Sequence, residues 1–578
     1  MQKLYTKEGR TLPTVAWVRY PRPQMRREDW LCLNGEWQLE WDETVQTVRV
    51  PFCPESLLSG VAKPPKVGQE MLYRRSFRIP EDWQGRRVLL HFGAVSGKTS
   101  VLVNGEELCR HENSYLPFTV DVTDALTRQE NELLVSVVND LDPRRPWGKQ
   151  RVRRGGMWYT PCSGIWQTVW LEPVPEDYVR SLSIRTGSNW AEIRAEGLSS
   201  GVVRFDGQDY PLENGCACIN VETPELWSPE HPHLYSFCVL GGEDRVESYF
   251  ALRSLSVETS GGQPRLCLNG RPYFFHGLLD QGYWSDGLYT PAHTMAYVRD
   301  ITAMKRLGFN TLRKHIKIEP EQFYYDCDRL GMIVFQDMVN CGRYSFFHDT
   351  ILPTMGITRL FDTRWQPDSR VRSGFLEAME ETVRLLGNHP CICLWTIFNE
   401  GWGQFCADEA YDRLKALDPG RFVDSTSGWF AQNRSDVESL HIYFRKLGLG
   451  QSDRPQLLSE FGGYSYKIPE HSFNLEKTYG YRKCPDRESF VRDLRALYAE
   501  QLLPLIKAGL CGAIYTQVSD VEDETNGLFT FDREILKLRP EEFRDLSEAL
   551  CRAVGGEAAP AQNDAPGPES EENGRKPE

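Results

Sequence analysis

From Tyr273 to Ala553 the chain repeats one pattern, a short apolar segment followed by a stretch whose apolar residues fall on one helical face. The short segments are Tyr273-Phe274-Phe275-His276-Gly277, Asn310-Thr311-Leu312-Arg313, Met332-Ile333-Val334-Phe335, Leu394-Trp395-Thr396-Ile397-Phe398, Phe422-Val423-Asp424, Leu440-His441-Ile442, Gln456-Leu457-Leu458-Ser459 and Gly512-Ala513-Ile514-Tyr515. The helical stretches carry Val298, Ile301, Met304 and Leu307 near one face, or run from Phe323 to Leu330, Phe375 to Leu386, Ala407 to Leu417, Phe490 to Ala508 and Pro540 to Ala553. Eight strands alternating with helices over about 290 residues predict a (β/α)8 TIM barrel.

Strands covered by helices have no solvent face, so a charge belongs at their C-terminal ends, where barrels of this kind place their chemistry. Two segments end this way. Leu394-Trp395-Thr396-Ile397-Phe398 runs into Asn399-Glu400, and sixty residues later Leu457-Leu458-Ser459 runs into Glu460, then Phe461-Gly462-Gly463. Two such carboxylates can face each other across one barrel mouth.

At 578 residues the chain is too long for one domain and suggests three or four. The segment 1–174 reads as all-β, with alternating runs such as Trp37-Gln38-Leu39-Glu40-Trp41, Val88-Leu89-Leu90-His91-Phe92 and Leu133-Leu134-Val135-Ser136-Val137-Val138, and a hairpin turn at Asn104-Gly105. This spacing suits a jelly-roll β-sandwich. The segment 175–259 has the size of an immunoglobulin-like β-sandwich, 260–554 holds the barrel, and 555–578, rich in Pro, Gly, Ala and Glu, is expected to be disordered.

The formal charge of −14 argues against a nucleic-acid or anionic-membrane partner. No apolar run reaches the length of a membrane span, and the first residues lack the apolar core of a signal peptide. The 16 cysteines include no CxxC pair; Cys216/Cys218 and Cys391/Cys393 are CxC, without a recognisable set of four zinc ligands. These observations predict a cytoplasmic protein with reduced thiols, no metal and no cofactor. A homo-oligomer is compatible with the sequence.

Six segments stand in a specific order: Leu33-Asn34-Gly35-Glu36-Trp37, Ser163-Gly164-Ile165-Trp166-Gln167-Thr168-Val169-Trp170, Leu226-Trp227-Ser228-Pro229-Glu230, Gly308-Phe309-Asn310-Thr311-Leu312-Arg313, Asn399-Glu400 and Ser459-Glu460-Phe461-Gly462-Gly463. Through them the chain resembles glycoside hydrolase family 2, the group of β-galactosidases, β-glucuronidases and β-mannosidases. The resemblance implies Glu400 as acid/base and Glu460 as nucleophile of a retaining exo-glycosidase. Glu400 has to start protonated, with Trp395, Trp402 and the charge of Glu460 as its expected neighbours. The resemblance further implies that Asn399 binds a sugar 2-hydroxyl, that Arg313 keeps Glu460 ionised, and that Tyr443 hydrogen-bonds it. Asp337, His441, Tyr481 and Gln517 are expected to join the substrate-binding set. For Asp337 and His441, loop-tying hydrogen bonds are an equal alternative. Trp284, Tyr344, Phe346, Phe347 and Tyr481 could form an aglycone platform, with loop packing as the alternative.

Departures from the family pattern bear on the sugar. Arg313-Lys314-His315-Ile316-Lys317 replaces a His-Tyr-Pro segment common among relatives, so that His315 is a candidate for its histidine contact. The β-glucuronidases carry an Asn-x-Lys pair for the sugar carboxylate where this chain has Glu524-Thr525-Asn526-Gly527. Arg153-Arg154 occupies a loop where many relatives supply an acid, which counts against a galactoside; the two arginines either approach an anionic sugar or, the favoured alternative, lie exposed on a solvated loop. With no Lys at the Asn-x-Lys position and Glu524 there to repel a carboxylate, the expected substrate is a small β-D-galactoside, with a β-glucuronide or other β-uronide as the alternative. A non-catalytic carbohydrate-binding protein is the reading of another class.

Overall fold

The computed structural model describes residues 1–366 and 368–554. The tail 555–578, expected to be disordered, lies outside the described residues.

The N-terminal sandwich pairs a six-stranded with a four-stranded antiparallel sheet. In Gly35–Trp41 the alternation turns Trp37, Leu39 and Trp41 inward and Glu36 and Gln38 outward. The inward residues meet Leu90, Phe92, Val169 and Leu171 of the facing sheet. Asn104 and Gly105, both at positive φ, turn Lys98–Val103 into Glu106–His111. A second, smaller sandwich follows from three- and four-stranded sheets, closed around Ile193, Val203, Ile219, Val239 and Phe250.

Eight parallel strands form the barrel: Phe275–Asp280, Thr311–Lys314, Ile333–Asp337, Ile392–Asn399, Phe422–Ser427, Glu438–Ile442, Gln456–Phe461 and Leu510–Tyr515. In space they run five-four-three-two-one-eight-seven-six. Strands five and six meet through side chains: Ser439 Oγ donates to Asp424, and Ser427 Oγ lies 3.1 Å from His441 Nε2. The expected alternation breaks here, because the connections 428–437 and 443–455 contain no helix. They are short and punctuated by Gly428, Gly448 and Gly450, which leaves little room for a helical crossover. The helix expected from Phe490 to Ala508 is divided into Arg487–Ala496, a π-helical segment Leu497–Leu502 and Leu503–Lys507.

The two sandwiches grip opposite ends of the barrel. Arg253 of the smaller one donates to Pro390 O at 2.6 Å and Ile392 O at 2.7 Å, at the start of strand four. The jelly roll reaches the other end, where Trp147 N donates to Asn340 O at 3.1 Å and Thr160 N to Glu522 Oε1 at 2.9 Å. A jelly-roll loop therefore forms part of the wall above the C-terminal ends of the strands. No helix among the described residues is long and apolar enough to cross a membrane.

Candidate active site

The two carboxylates singled out in the sequence meet at this end of the barrel. One oxygen of Glu400, one of Glu460 and a ring nitrogen of His441 all lie within 4.8 Å of one another. Glu400 follows strand four at φ +51°, a left-handed conformation uncommon for a side-chain-bearing residue. Gly401 and Gly403, also at positive φ, allow the chain to turn away at once. Glu400 N donates to Ser427 O at 2.9 Å, tying this turn to strand five.

Arg313, fully buried at the end of strand two, organises the floor. It donates to Asp337 Oδ1 at 2.9 Å, Ser459 O at 3.0 Å, Glu460 Oε1 at 3.2 Å and Asn399 Oδ1 at 2.9 Å. An arginine only donates, so Asn399 must present its oxygen to Arg313, leaving its NH2 for another partner. Tyr443 donates to Glu460 Oε2. Burial would raise the Glu460 carboxyl, but His441, Arg313 and Lys149 outweigh it and hold the group below the ordinary carboxylate range. Burial and the neighbouring Glu460 push the Tyr443 phenol well up, so it stays protonated as a donor.

His441 Nδ1 is 2.7 Å from Glu400 Oε1, while its Nε2 is 3.7 Å from Glu460 Oε1. His315 Nδ1 is 2.7 Å from Asp337 Oδ2; burial, then the charge of Lys149, lowers its pKa to about 4, so the ring is neutral. A neutral ring donating Nδ1–H to Asp337 leaves Nε2 as an acceptor. That atom, and Gln517 Oε1, are buried without a hydrogen-bond partner among the described residues. Replacing Arg313 with methionine would strip Asp337 and Glu460 of their buried counter-charge. A loss of about 3–5 kcal/mol in unfolding free energy is expected, measured by urea denaturation.

The remaining candidates line the rim. Trp402 donates to Gly342 O at 3.1 Å, with its ring centroid 5.1 Å from Trp158 and 6.1 Å from Tyr344. Tyr481 stacks on Tyr443 at 3.7 Å. Gln517 donates to Glu524 Oε2 at 2.6 Å, and Tyr159 of the jelly roll donates to Glu524 Oε1 at 3.0 Å.

Three expectations need correction. Trp395 faces the helical layer, donating to Asp418 Oδ2 at 2.9 Å, and is not a neighbour of Glu400. Trp284 is buried against Tyr297 and Arg533, so it cannot serve an aglycone platform. Arg154, for which the sequence favours an exposed position on a solvated loop over an anion contact, is instead largely buried and lies 3.2 Å from Glu522. The sequence reading missed Lys149, Arg151, Trp158 and Tyr159, which come from the jelly-roll loop. The Trp158-Tyr159 pair just ahead of Ser163-Gly164-Ile165 was the available signal. Among the described residues, the only other clusters able to surround a cation are Glu192/Cys216/Cys218 and Glu225/His231/His233, both on the smaller sandwich.

The barrel region 262–451 matches the family model "Glycosyl hydrolases family 2, TIM barrel domain", and 65–204 matches "Glycosyl hydrolase 2 galactose-binding domain-like". A Formosa agariphila protein provisionally named beta-glucuronidase is 24% identical over 57% of this chain and 39% of its own length. A beta-galactosidase of Aeromonas hydrophila is 27% identical over 72% of this chain and 43% of its own. The chain thus spans about two-fifths of the length of these curated relatives. Among solved structures, a beta-glucuronidase from an uncultured Clostridium sp. superposes with a TM-score of 0.72 at 19% identity, covering 92% of this chain and 99% of that one. With the same sandwiches, the same barrel and both family models matched in order, the chain belongs to glycoside hydrolase family 2.

Proposed function

We propose that the protein is a retaining, exo-acting β-glycosidase in which Glu460 is the nucleophile and Glu400 the acid/base. The observation that carries this reading is the approach of the two carboxylates to within 4.8 Å, close enough for direct attack on C1 and without the wider gap an inverting enzyme needs for water. Glu460 attacks C1 while Glu400 protonates the departing oxygen, so the C1–O bond breaks and a glycosyl ester forms. Glu400, now a carboxylate, takes a proton from water; that water attacks C1 and releases Glu460. Two displacements at C1 leave the β configuration unchanged.

The surrounding groups support these roles. Arg313 and Tyr443 hold the two Glu460 oxygens, fixing the nucleophile's orientation and keeping it ionised. His441 holds Glu400, and the Asn399 amide is oriented to donate to the sugar's 2-hydroxyl, a contact that strengthens in an oxocarbenium-like transition state. His315 Nε2 and Gln517 Oε1 are acceptors suited to other sugar hydroxyls. Trp402, Trp158 and Tyr344 form the aromatic part of the rim, suited to an aglycone.

Galactosidase and glucuronidase names both occur among the relatives, so the fold leaves the sugar open between the β-galactoside first expected and a β-uronide. The charge of the pocket favours the uronide, for the reason developed below. The reaction itself is tested by proton NMR of the first sugar released from p-nitrophenyl β-galactoside, β-glucuronide, β-glucoside, β-mannoside and β-galacturonide. The β-anomer is expected first. An α-anomer would remove the double displacement, and sugar binding without hydrolysis of any substrate would put a carbohydrate-binding protein in its place.

A further inference from the structure

Most cations around the barrel mouth are already matched to acids. Arg313 serves Asp337 and Glu460, Lys314 serves Asp280 and Glu319, Lys317 serves Glu319, and Arg154 serves Glu522. Lys149 differs. It is half-buried on the jelly-roll loop, and its ammonium makes no hydrogen bond or close ion pair among the described residues.

Its position is fixed by its neighbours in the chain. Tyr159 N donates to Lys149 O at 2.9 Å, and Trp147 N to Asn340 O at 3.1 Å. Gln150 turns to the other side, donating to Tyr115 Oη at 3.0 Å and accepting from Cys162 N at 2.6 Å. Gly148, at positive φ in the same turn as Lys149, lies against Tyr115 Oη and against Ile316 O, the residue after His315, which sets the turn beside the end of strand two. Arg151 lies over the Trp158 ring, which in turn meets Trp402 beside the acid/base turn. The charge of Lys149 is felt by Glu460, Glu524 and His315, which hang from three different parts of the barrel mouth.

An ammonium held half out of water, with acids near but none bound to it, is a site prepared for an anion. We infer that Lys149 binds the carboxylate of a hexuronic acid glycone, making β-uronides the preferred substrate class of this site. This rests on the glycosidase reading above. Glu524, at the position where β-glucuronidases carry their Asn-x-Lys pair, does not oppose the assignment. Burial pushes its carboxyl up to about 7, so near neutrality a large share of it is uncharged and able to donate to a ligand oxygen.

The test compares wild type, Lys149→Met and Lys149→Arg on p-nitrophenyl β-glucuronide, β-galacturonide and β-galactoside. Wild type is expected to prefer a uronide. Lys149→Met should lose about 10- to 100-fold in kcat/KM on it, chiefly through KM, as for a lost charge-assisted hydrogen bond. Its loss on the galactoside should be at least about tenfold smaller, and Lys149→Arg should restore part of the uronide rate. Equal losses on both sugars, or a wild type that prefers the galactoside, would overturn the assignment while leaving the glycosidase reading intact. Calorimetric binding of free D-glucuronate, D-galacturonate and D-galactose provides a readout independent of turnover. Uronate binding that is abolished in Lys149→Met keeps the assignment even if no glycoside is cleaved; uronates bound no tighter than galactose reject it even if hydrolysis is robust.

Discussion

Glu460→Ala is expected to lower kcat by about 10⁴-fold or more on every substrate the wild type cleaves, with the fold intact by circular dichroism. The variant loses the atom that attacks C1, and no neighbour can replace it: Asp337 is bound to Arg313 and His315, and Asp424 accepts from Ser439. The space left by the side chain admits a small anion. Added azide should therefore restore turnover of an activated p-nitrophenyl glycoside and yield the α-glycosyl azide, because one displacement now does the work of two. Near-wild-type hydrolysis by this variant would show that the nucleophile lies elsewhere.

Glu400→Ala should divide substrates by their leaving groups. Alkyl β-glycosides need a proton on the departing oxygen and should lose about 10²- to 10⁴-fold in kcat/KM, the usual range for general acid catalysis. A p-nitrophenyl glycoside releases a stable phenolate, so its first step should suffer far less. Its second step loses the base that activates water, so the glycosyl ester should accumulate, giving a burst of p-nitrophenol followed by a slow steady state with lowered kcat and KM. Azide should accelerate that second step and give the β-glycosyl azide, the opposite anomer from Glu460→Ala. Equal losses on alkyl and p-nitrophenyl substrates would remove Glu400 from the proton-transfer role.

The two acids were legible in the sequence because barrel strands impose a strong rule: a charge that closes an apolar run has nowhere to go except the strand's end. Glu400 and Glu460 both obey it, and so does Arg313, whose four acceptors come from strands three, four and seven and explain why a guanidinium is tolerated there. The same two-sided apolarity hid the direction of Trp395. A strand covered on both faces shows no alternation, so its indole could not be assigned to the pocket or to the helical layer from sequence, and it belongs to the latter. The missing helices at 428–437 and 443–455 were obscured for a related reason, since strand count alone fixes a barrel without fixing what joins its strands.

Contributions from the jelly roll were the least legible. Tyr159 and Glu524 are separated by 365 positions, and neither side of that contact carries a local signal for the other. Lys149, in the segment Trp147-Gly148-Lys149-Gln150, reads as an ordinary loop lysine until its neighbours are pinned to the barrel. Arg154 is similar: two adjacent arginines suggest an anion site or, more readily, a solvated loop, and nothing local shows that the second lies 3.2 Å from Glu522. Local pattern thus located the two carboxylates, whereas the contacts between jelly roll and barrel that surround them carry no local signal.

The most direct test of the account is to trap the covalent intermediate. Wild-type protein would be incubated with 2-deoxy-2-fluoro β-galactosyl and β-glucuronyl fluorides, digested with protease, and mapped by tandem mass spectrometry. The fluorine slows both steps, while the fluoride leaving group keeps the first one fast enough for the ester to build up. The account predicts time-dependent inactivation and a single glycosyl label on Glu460. A label on Glu400, Asp337 or another carboxylate, or undiminished turnover with no label at all, would contradict it.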